Sequence, residues 1–503
     1  MKGLSPRLLA ALLILTLFAG LAAISADSLW IDEGNAAYKA CQPTFGKWVT
    51  TMKAEGGSDV QMPLYMGWLW VWEKGFGHSE RTLRLANLPW IFLGHLFLLG
   101  AVSRSRLSPR VGIVYAGLAA VAPFLFYYAN EVRPYAMDYG AACLILAYLL
   151  EIDAAPERAL QPRLLITGIA GMLLLAGSSL LGVPWAGSGL LAAVWIVWKG
   201  DPGLARRLRW SAASLLAMGA LFVGMALLGF YYLETLKAGA GAANIGQTGV
   251  LSCLFAGYEL AGLAGIGPNR TDLRVAGMGA LFPYILPLAT GCLVVFGVGM
   301  AGAINYARAT ARRLPLSWVC IAFLLPLVFT LGLGIVGHFR VLGRHLMPGF
   351  PILLLMVAFA LDALLRTPWR GLVALFVGIW VYSSASLRFS PTHFKDDYRA
   401  SSALARNVVS AGKSVWWAAD VATGRYYGLD FAPKGRVLHW MNAPEADLLN
   451  QPEPDLVILS KRDIYDHDGT LERYLSLHGF TPWGTYTAFT IFEKKPGWAA
   501  GRP

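Results

Sequence analysis

Long apolar runs fill most of the first 390 residues and limit what this chain can fold into. A helix needs about 20 mostly apolar residues to cross the hydrocarbon core of a bilayer, and eleven runs come near that length. They predict an all-α polytopic membrane domain of about 11 transmembrane helices, near residues 8–25, 87–103, 111–129, 135–150, 164–181, 184–198, 210–230, 279–300, 316–336, 346–365 and 371–388. Only residues 182–184 separate the fifth and sixth runs, so these two could instead form a re-entrant pair.

The distribution of charge divides the chain into two parts. Residues 391–503 contain 13 basic and 13 acidic side chains, whereas residues 1–390 contain 29 basic and 17 acidic ones. The formal net charge of +12 therefore lies entirely among the apolar runs. An excess in that position indicates membrane topology and gives no support for nucleic-acid binding. We expect a transmembrane domain over residues 1–390 and a small soluble domain over residues 391–503.

Helical and strand patterns alternate in the last 113 residues. Spacing of the apolar residues predicts helices near 396–411, 423–428, 444–450 and 470–478. It predicts strands near 414–419, 436–440 and 455–460, and two final strands around 485–493. Such alternation predicts a small α/β sandwich. The segment has no GxGxxG or GxxxxGK[ST] motif, so nucleotide binding has no support.

The connections between the runs predict the orientation of the chain. With the N-terminus in the cytoplasm, the inner connections carry 16 basic residues, against 13 in outer connections of about twice the length. This is the bias of the positive-inside rule. An odd number of spans then places the soluble domain outside the cytoplasmic (inner) membrane, in the periplasm or its equivalent. The inner basic residues are Lys2, Arg7, Arg104, Arg106, Arg110, Arg158, Arg163, Lys199, Arg206, Arg207, Arg209, Arg308, Arg312, Arg313, Arg366 and Arg370.

The first run could instead be a cleaved signal peptide, because basic residues precede an apolar stretch that ends in small residues. Cleavage would leave ten spans that begin and end outside, so the orientation of the soluble domain would not change. The five cysteines are scattered and form no CxxC motif. The sequence therefore predicts no disulfide framework, no zinc site and no cofactor, and it does not indicate a divalent cation.

Two adjacent carboxylates stand in the first outer loop, in the segment SLWIDEGNAAYKA. Asp32 and Glu33 are candidate catalytic residues, although adjacent side chains point in different directions and at most one can face a given substrate. The alternative is a solvated pair or the first turn of an interfacial helix, where acidic residues are favourable.

Further charged residues lie at the outer ends of later spans. Arg81 and Arg84 precede the second span, and as an i, i+3 pair they could hold a phosphate or reach toward lipid headgroups. Glu131 and Arg133 stand in the short loop YYANEVRPYAMDY, where an ionisable residue at membrane depth suggests function. A structural pair of Arg133 with Glu131 or Asp138 is the alternative reading there.

Two more arginines stand on the outer side, where the positive-inside rule disfavours basic residues. Arg340 and Arg344 belong to the turn GHFRVLGRHLMP before the tenth span. A guanidinium group in that position needs an anionic partner, and its planar fork matches phosphate oxygens. The glycine-rich outer loop 231–278, with Asn244, Gln247 and Glu259, could be a mobile lid or a passive connector.

Four short motifs, in this order and all on the predicted outer side, carry a resemblance to a known family. They are WIDE (residues 30–33), MPLY (62–65) with GHSERTLRL (77–85), NEVRPYAMDY (130–139) and GRHLMP (343–348). Over nearly its whole length the chain resembles the GT-C glycosyltransferases, in the branch of the dolichyl-phosphate-mannose-protein mannosyltransferases and the bacterial lipid A aminoarabinose transferases. One departure is that the family often has His-Pro-Pro where this chain has Gln61, Met62 and Pro63.

The resemblance implies an integral membrane enzyme that moves a sugar from a polyprenyl-phosphate carrier to a lipid, glycan or protein acceptor outside the cytoplasmic membrane, with inversion. It assigns catalysis to Asp32, Glu33 and Glu131, and substrate contacts to Tyr65, Tyr135 and His345. The phosphate would be bound by Arg133, Arg340 and Arg344 as a single clamp, and by Arg81 and Arg84. Such chemistry needs one carboxylate to take the acceptor proton and cations to neutralise the departing phosphate, and Asp32 with the outer arginines fits both needs.

Two other classes of membrane protein compete with a transferase. A transporter or flippase of lipid-linked sugars should carry ionisable residues near span centres and internal repeats, and the sequence shows neither pattern. A receptor or structural membrane protein gives no reason for carboxylates and arginines to collect on one side. The sequence predicts neither the sugar nor the acceptor.

Overall fold

The structure is a computed structural model that describes residues 4–200, 211–243, 247–308, 315–432 and 435–494. It confirms the predicted fold class, a polytopic helical domain with a small α/β domain at the C-terminal end. Several residues named above lie outside the described ranges: Lys2, Arg206, Arg207, Arg209, Asn244, Arg312 and Arg313.

Helices form almost all of the chain before residue 390. Numbered along the described residues, they are α1 Pro6–Ala23, α2 Ile31–Ala40, α3 Phe45–Glu55, α4 Pro63–Phe76, α5 Glu80–Leu85, α6 Leu88–Arg104, α7 Pro109–Val121, α8 Pro123–Ala129, α9 Tyr135–Ala154, α10 Pro162–Ser178, α11 Gly182–Gly200, α12 Ala212–Ala243, α13 Val250–Leu260, α14 Arg270–Ala276, α15 Ile285–Arg308, α16 Leu316–Val319, α17 Leu325–Val336, α18 Phe350–Leu364 and α19 Arg370–Phe389. A π-helical segment, Cys320–Leu324, joins α16 to α17.

Fewer helices than the eleven expected are long and apolar enough to cross a membrane. Within the described ranges, eight do so, or nine if the bent pair α7 and α8 is one span. The other two predicted spans are α10 and α11. Helix α10 has 17 residues, or about 26 Å of helix, which is short of the roughly 30 Å hydrocarbon core. Helix α11 is not among the eight, and its last turn contains Trp198 and Lys199.

Local sequence signals account for where several helices begin. The Ser5 hydroxyl accepts a hydrogen bond from the Leu8 amide at 3.3 Å, and that of Ser108 accepts one from Arg110 at 3.3 Å. In both cases proline follows as the first helical residue, where its missing N–H costs nothing. Pro123 has the opposite effect inside an apolar run, because it separates α7 from α8 with a bend of 54°.

Two glycines allow α6 and α9 to approach closely at the centre of the helical domain. A Cβ added at Gly140 would lie 2.4 Å from the Trp90 carbonyl oxygen, and one at Gly94 would lie 2.9 Å from the Gly140 Cα. Both obstacles are backbone atoms, so no side-chain rotation relieves them. Small residues are typical of close helix contacts in membranes, and the nearly fully buried α9 packs against α6 and α10 at this depth.

We expect Gly140→Ala to lower the thermal stability of the detergent-solubilised protein, because the added methyl group forces α6 and α9 apart. Overpacking of this kind costs about 1 to 3 kcal/mol. Gly117→Ala is the matched control, since a Cβ there meets no atom within 4 Å and alanine is the better helix former. Equal melting temperatures for the two variants would contradict the close contact.

Most of the predicted outer loop 231–278 is helical in the described residues. Helix α12 continues to Ala243, and α13 and α14 follow it. The glycines there lie largely in or beside helices, so the segment is a set of short helices more than an open loop. Its role as a lid stays a prediction.

The described chain divides into two compact units. One contains residues 1–25, 49–75 and 84–393 and holds most of the helices. The other contains residues 26–48, 76–83 and 394–503. The last change of unit falls between residues 393 and 394, and the domain boundary at residue 390 stays a prediction. Two segments of the predicted first outer loop also belong to the second unit, and one of them contains the WIDE motif.

The second unit is built on a five-stranded sheet of order β2-β1-β3-β5-β4. Strand β1 pairs in parallel with β2 and β3, whereas β5 pairs antiparallel with β3 and β4. The elements are α20 Tyr398–Ser410, β1 Val415–Ala418, α21 Val421–Tyr426, β2 Val437–His439, α22 Glu445–Leu449, β3 Leu456–Ser460, α23 Arg462–Tyr465, α24 Thr470–Leu477, β4 Thr481–Tyr486 and β5 Phe489–Glu493. Only α23 has no counterpart among the predicted elements.

The strands β1 and β3 are buried on both faces of the sheet. Because side chains alternate along a strand, they enter two different cores. On β1, Val415 and Trp417 enter one apolar core with Tyr398 of α20. Trp416 and Ala418 enter the other core, with residues of α22 and α24. A central strand covered on both sides reads as a continuous apolar run, as β1 and β3 do.

Candidate active site

The WIDE motif lies at the carboxyl ends of the parallel strands in the second unit. Asp420 lies two residues after the end of β1 and caps α21, accepting hydrogen bonds from the Thr423 amide at 2.7 Å and the Thr423 hydroxyl at 2.6 Å. The same carboxylate accepts from the Asn35 side chain of α2 at 2.9 Å. In open α/β sheets this edge is where ligands usually bind.

Helix α2 packs on α21 without space between them. A Cβ added at Gly34 would lie 2.3 Å from two side-chain atoms of Thr423. The Thr423 hydroxyl also lies 3.3 Å from the Ile31 carbonyl oxygen. Gly34, the residue after the carboxylate pair, is therefore required by packing. This close contact fixes how α2 lies against α21.

The two carboxylates of the motif have different surroundings. Glu33 is fully buried and forms an ion pair with Lys395 at 3.1 Å, in which the lysine side chain is only 7% exposed. Its carboxylate also accepts from the Trp30 amide at 3.4 Å at the start of α2. Asp32 is half-buried. The geometry gives Glu33 a structural task within the unit and leaves Asp32 the more accessible of the two.

A further carboxylate stands near Asp32. Burial raises the pKa of Asp420 above its ordinary value, and the negative charge of Asp32 acts in the same direction. Hydrogen bonds from Thr423 and Asn35 oppose this increase in the pKa. Two carboxylates, Asp32 and Asp420, thus stand near each other at the carboxyl edge of β1. This pair is suited to accepting a proton or binding a cationic group.

We expect Glu33→Gln to destabilise the protein more than it slows any chemistry. The substitution leaves the Lys395 ammonium group buried without its counter-charge, and breaking such a pair costs about 3 to 5 kcal/mol. Thermal unfolding in detergent measures the effect. Glu472→Gln is the matched control, because its ion pair with Arg462 is at the surface, with side-chain exposures of 29% and 63%. Surface pairs contribute about 0 to 1 kcal/mol, so equal losses would contradict the buried pair.

In the helical unit, two sequence motifs meet at a charged cluster. Arg270, at the start of α14, forms an ion pair with Glu259 at 2.5 Å and lies 4.0 Å from Glu131. Glu131 belongs to NEVRPYAMDY and is fully buried, with 0% of the residue exposed. A Cβ at Gly343, the first residue of GRHLMP, would lie 2.5 Å from the Glu259 carboxylate.

Aromatic side chains complete this arginine–carboxylate cluster. The Arg270 guanidinium lies over the rings of Tyr127 and Tyr128, at 4.7 and 5.6 Å. The Tyr128 hydroxyl donates to Glu259 at 3.1 Å and accepts from Arg270 at 2.5 Å. Arg344 lies 6.0 Å from the centre of the Tyr135 ring, which is in edge contact with Tyr128. The Arg270 side chain remains 38% exposed, so the cluster presents a cation.

Arg133 has a buried acidic partner from an earlier segment of the helical unit. Its guanidinium forms a buried ion pair with Asp59 at 2.6 Å, with side-chain exposures of 6% and 3%, and donates to Ser58 at 3.0 Å. This partner, Asp59, was not among the two considered from the sequence, Glu131 and Asp138. Asp138 instead accepts hydrogen bonds from Ser178 and Ser179.

Arg84 is also internal. It is 0% exposed and donates to the hydroxyl and carbonyl oxygens of Ser25 at 3.1 and 3.3 Å. Ser25 also hydrogen-bonds Asn130, through its amide at 2.8 Å and its hydroxyl at 3.1 Å. These contacts fix the end of α1 against the NEVRPYAMDY loop, immediately before the chain enters the second unit.

The other candidate residues are distributed as follows. Arg81 and Arg340 are exposed, Tyr65 is fully buried, and Tyr135 is 5% exposed. The His345 ring accepts from the Leu342 amide at 3.1 Å. The single clamp of Arg133, Arg340 and Arg344 stays a prediction. Within the described ranges, no group of three or more His, Cys, Asp or Glu side chains is arranged to hold a metal ion.

Arg270 and Lys395 were missed from the sequence, although a signal existed for the first. Arg270 is a basic residue in a predicted outer connection, where the positive-inside rule disfavours it just as it disfavours Arg340 and Arg344. Lys395 gave no signal, because its partner Glu33 lies 362 residues away along the chain.

Comparison with solved structures identifies the architecture. The chain aligns with the crystal structure of ArnT from Cupriavidus metallidurans bound to undecaprenyl phosphate, with a TM-score of 0.57 and 14% identity over 99% of this chain and 100% of that one. It aligns with apo ArnT from the same organism with a TM-score of 0.62 and 14% identity, over 98% and 99% of the two chains. The fold is that of ArnT. This structural similarity agrees with the resemblance found in the motifs. No protein-family model matches the chain, and no curated protein matches it in sequence.

Proposed function

We propose that this chain is an integral membrane glycosyltransferase that moves a sugar from a polyprenyl-phosphate carrier to an acceptor on the outer side of the cytoplasmic membrane. The observation that carries the proposal is the alignment of 99% of the chain with an ArnT structure that holds undecaprenyl phosphate. The WIDE, NEVRPYAMDY and GRHLMP motifs support it, because each stands in one of the two charged clusters described above.

The proposed reaction is a single displacement. The acceptor hydroxyl oxygen attacks the anomeric carbon, and the bond from that carbon to the phosphate oxygen breaks. The electron pair leaves with the polyprenyl phosphate, and the acceptor proton passes to the Asp32 carboxylate. One displacement inverts the anomeric configuration. General base catalysis of this kind contributes about 10²- to 10⁴-fold.

Cations stabilise the phosphate as it gains charge. Arg270 suits this role best among the described arginines of the helical unit, because it is partly exposed and oriented by Glu259 and Tyr128. Arg344 is the second candidate, and Arg340 and Arg81 remain candidates because they are exposed. Arg133 and Arg84 support the framework around the loops that carry these groups. The reaction proposed here uses no cofactor.

The direct test is transfer by the purified protein in lipid nanodiscs. Undecaprenyl phosphates that carry different sugars are supplied with lipid, glycan and protein acceptors, and released undecaprenyl phosphate is measured. We expect release that depends on the acceptor, and a product of inverted configuration by NMR. Envelope lipids and glycans from a deletion strain, compared with wild type by mass spectrometry, identify the sugar and acceptor. Movement of a labelled lipid-linked sugar across vesicles, without transfer, would favour the transporter instead.

Orientation is tested separately. We propose that the N-terminus is cytoplasmic and the second unit is periplasmic or extracytoplasmic, where lipid-linked sugars are the available donors. A reporter fused after Pro503 should be active only in the form that folds in the periplasm. A reporter active in the cytoplasm at this position would mean that the number of spans is even. Fusions after Lys199 and Arg308, in predicted inner connections, provide controls with the opposite expectation.

A further inference from the structure

The WIDE segment is held by two lysines from the C-terminal part of the second unit. Lys395 forms the buried ion pair with Glu33 at 3.1 Å. Lys461 lies over the Trp30 ring, with its ammonium nitrogen 5.2 Å from the ring centre. Lys461 also pairs with Asp396 at 2.5 Å, and both side chains are 11% exposed. Lys395 and Asp396 are neighbours in sequence, so the contacts of the two lysines link both ends of the WIDE motif to the same short segment of chain.

Lys461 has an unusual backbone. Its φ is 38°, in the left-handed region that residues with a Cβ rarely adopt. It stands between the carboxyl end of β3 and the start of α23. Strain of this kind persists where the surroundings fix it, and it collects at functional sites. Glycine would adopt the same conformation more easily. We infer that a lysine stands here because its contacts with Trp30 and Asp396 offset the strain.

We propose that Lys395 and Lys461 are positioning residues that fix the WIDE segment from two sides and thereby orient the Asp32 carboxylate. The inference rests on the proposed function and adds to it a task for the C-terminal residues. Lys395 holds residue 33 and Lys461 holds residue 30, so the residue between them that faces the acceptor cannot turn. The second unit then contributes to catalysis by orienting Asp32, in addition to any contact it makes with the acceptor.

Lys461→Gly tests positioning. The glycine relieves the left-handed strain but leaves the Asp396 carboxylate without its counter-charge, so we expect a lower melting temperature, with a smaller loss than in Glu33→Gln. We expect kcat to fall about 10- to 100-fold, because small misplacement of a catalytic group has effects of this size, with KM for the lipid-linked donor within twofold. Lys461→Arg should recover most of the activity, since a guanidinium can pair with Asp396 and lie over Trp30.

A second measurement does not depend on activity. Hydrogen exchange of the peptide that contains residues 28–40 should be about tenfold faster in Lys461→Gly and in Lys395→Met than in wild type. Lys494→Met is the matched control. Lys494 forms an ion pair with Glu453 at the surface, where the two side chains are 43% and 38% exposed, so its loss should change neither readout.

Each outcome decides the inference. A kcat for Lys461→Gly within threefold of wild type, or unchanged exchange of residues 28–40, overturns positioning by Lys461. Activity lost only in proportion to stability, without recovery in Lys461→Arg, overturns it as well. Altered exchange in a protein whose wild type transfers no sugar would reject the proposed function and limit the lysines to holding the fold.

Discussion

Asp32→Asn should lower the rate of sugar transfer by about 10²- to 10⁴-fold, the usual contribution of a general base. The amide keeps the size and shape of the carboxylate but cannot take the acceptor proton. Asp32 is half-buried and not part of the buried Glu33–Lys395 pair, so we expect normal expression and folding. Binding of the polyprenyl-phosphate donor should also remain near normal. Single-turnover transfer in nanodiscs, with donor affinity measured in parallel, gives the result.

Two further variants make the test specific. Asp32→Glu should recover part of the rate, because it retains a carboxylate at a shifted position. Asp468→Asn, which removes a carboxylate that is 80% exposed in the same unit, should leave transfer unchanged. Activity of Asp32→Asn within threefold of wild type would remove Asp32 from the mechanism and direct attention to Asp420, the neighbouring carboxylate at the same edge of the sheet.

Most of the fold could be predicted from the sequence, because local patterns determine it. Apolar runs of about 20 residues predict spans directly, since the bilayer sets their length. The soluble elements follow from runs such as residues 455–460, whose side chains are buried on both faces of the sheet. Helix α23 was not predicted, since its four residues are too few to show a period.

The grouping of residues within the sites could not be predicted in the same way. Asp32 and Glu33 were recognisable as a pair, but their separate environments depend on Lys395 and Asp420, which the fold brings from more than 360 positions away. The sequence predicts a phosphate-binding role for Arg133, which stays a prediction, but it gave no sign of the ion pair with Asp59 from an earlier connection. Charge and position indicate that a side chain needs a partner, but only the packing of helices selects which one.

Arg270→Ala should affect both stability and donor binding, and a double variant separates the two effects. Removing the guanidinium leaves the Glu259 and Glu131 carboxylates buried, at 4% and 0% exposure. We expect a loss of about 2 to 3 kcal/mol, the lower end of the range for a broken buried pair, because Arg270 is itself 38% exposed. Affinity for the polyprenyl-phosphate donor should fall by about 2 kcal/mol or more, or roughly 30-fold.

In the double variant Arg270→Ala with Glu259→Gln, the cluster loses one positive and one negative charge together. We therefore expect the melting temperature to recover most of its loss, since the glutamine has no charge that needs a counter-ion. Donor affinity should stay low, because the cation that binds the phosphate is still absent. Arg274→Ala, at an exposed position on the same helix, is the control for charge alone. Recovery of donor affinity together with stability would show that Arg270 acts only by neutralising Glu259, and the phosphate would then have to be bound by Arg344 or Arg340.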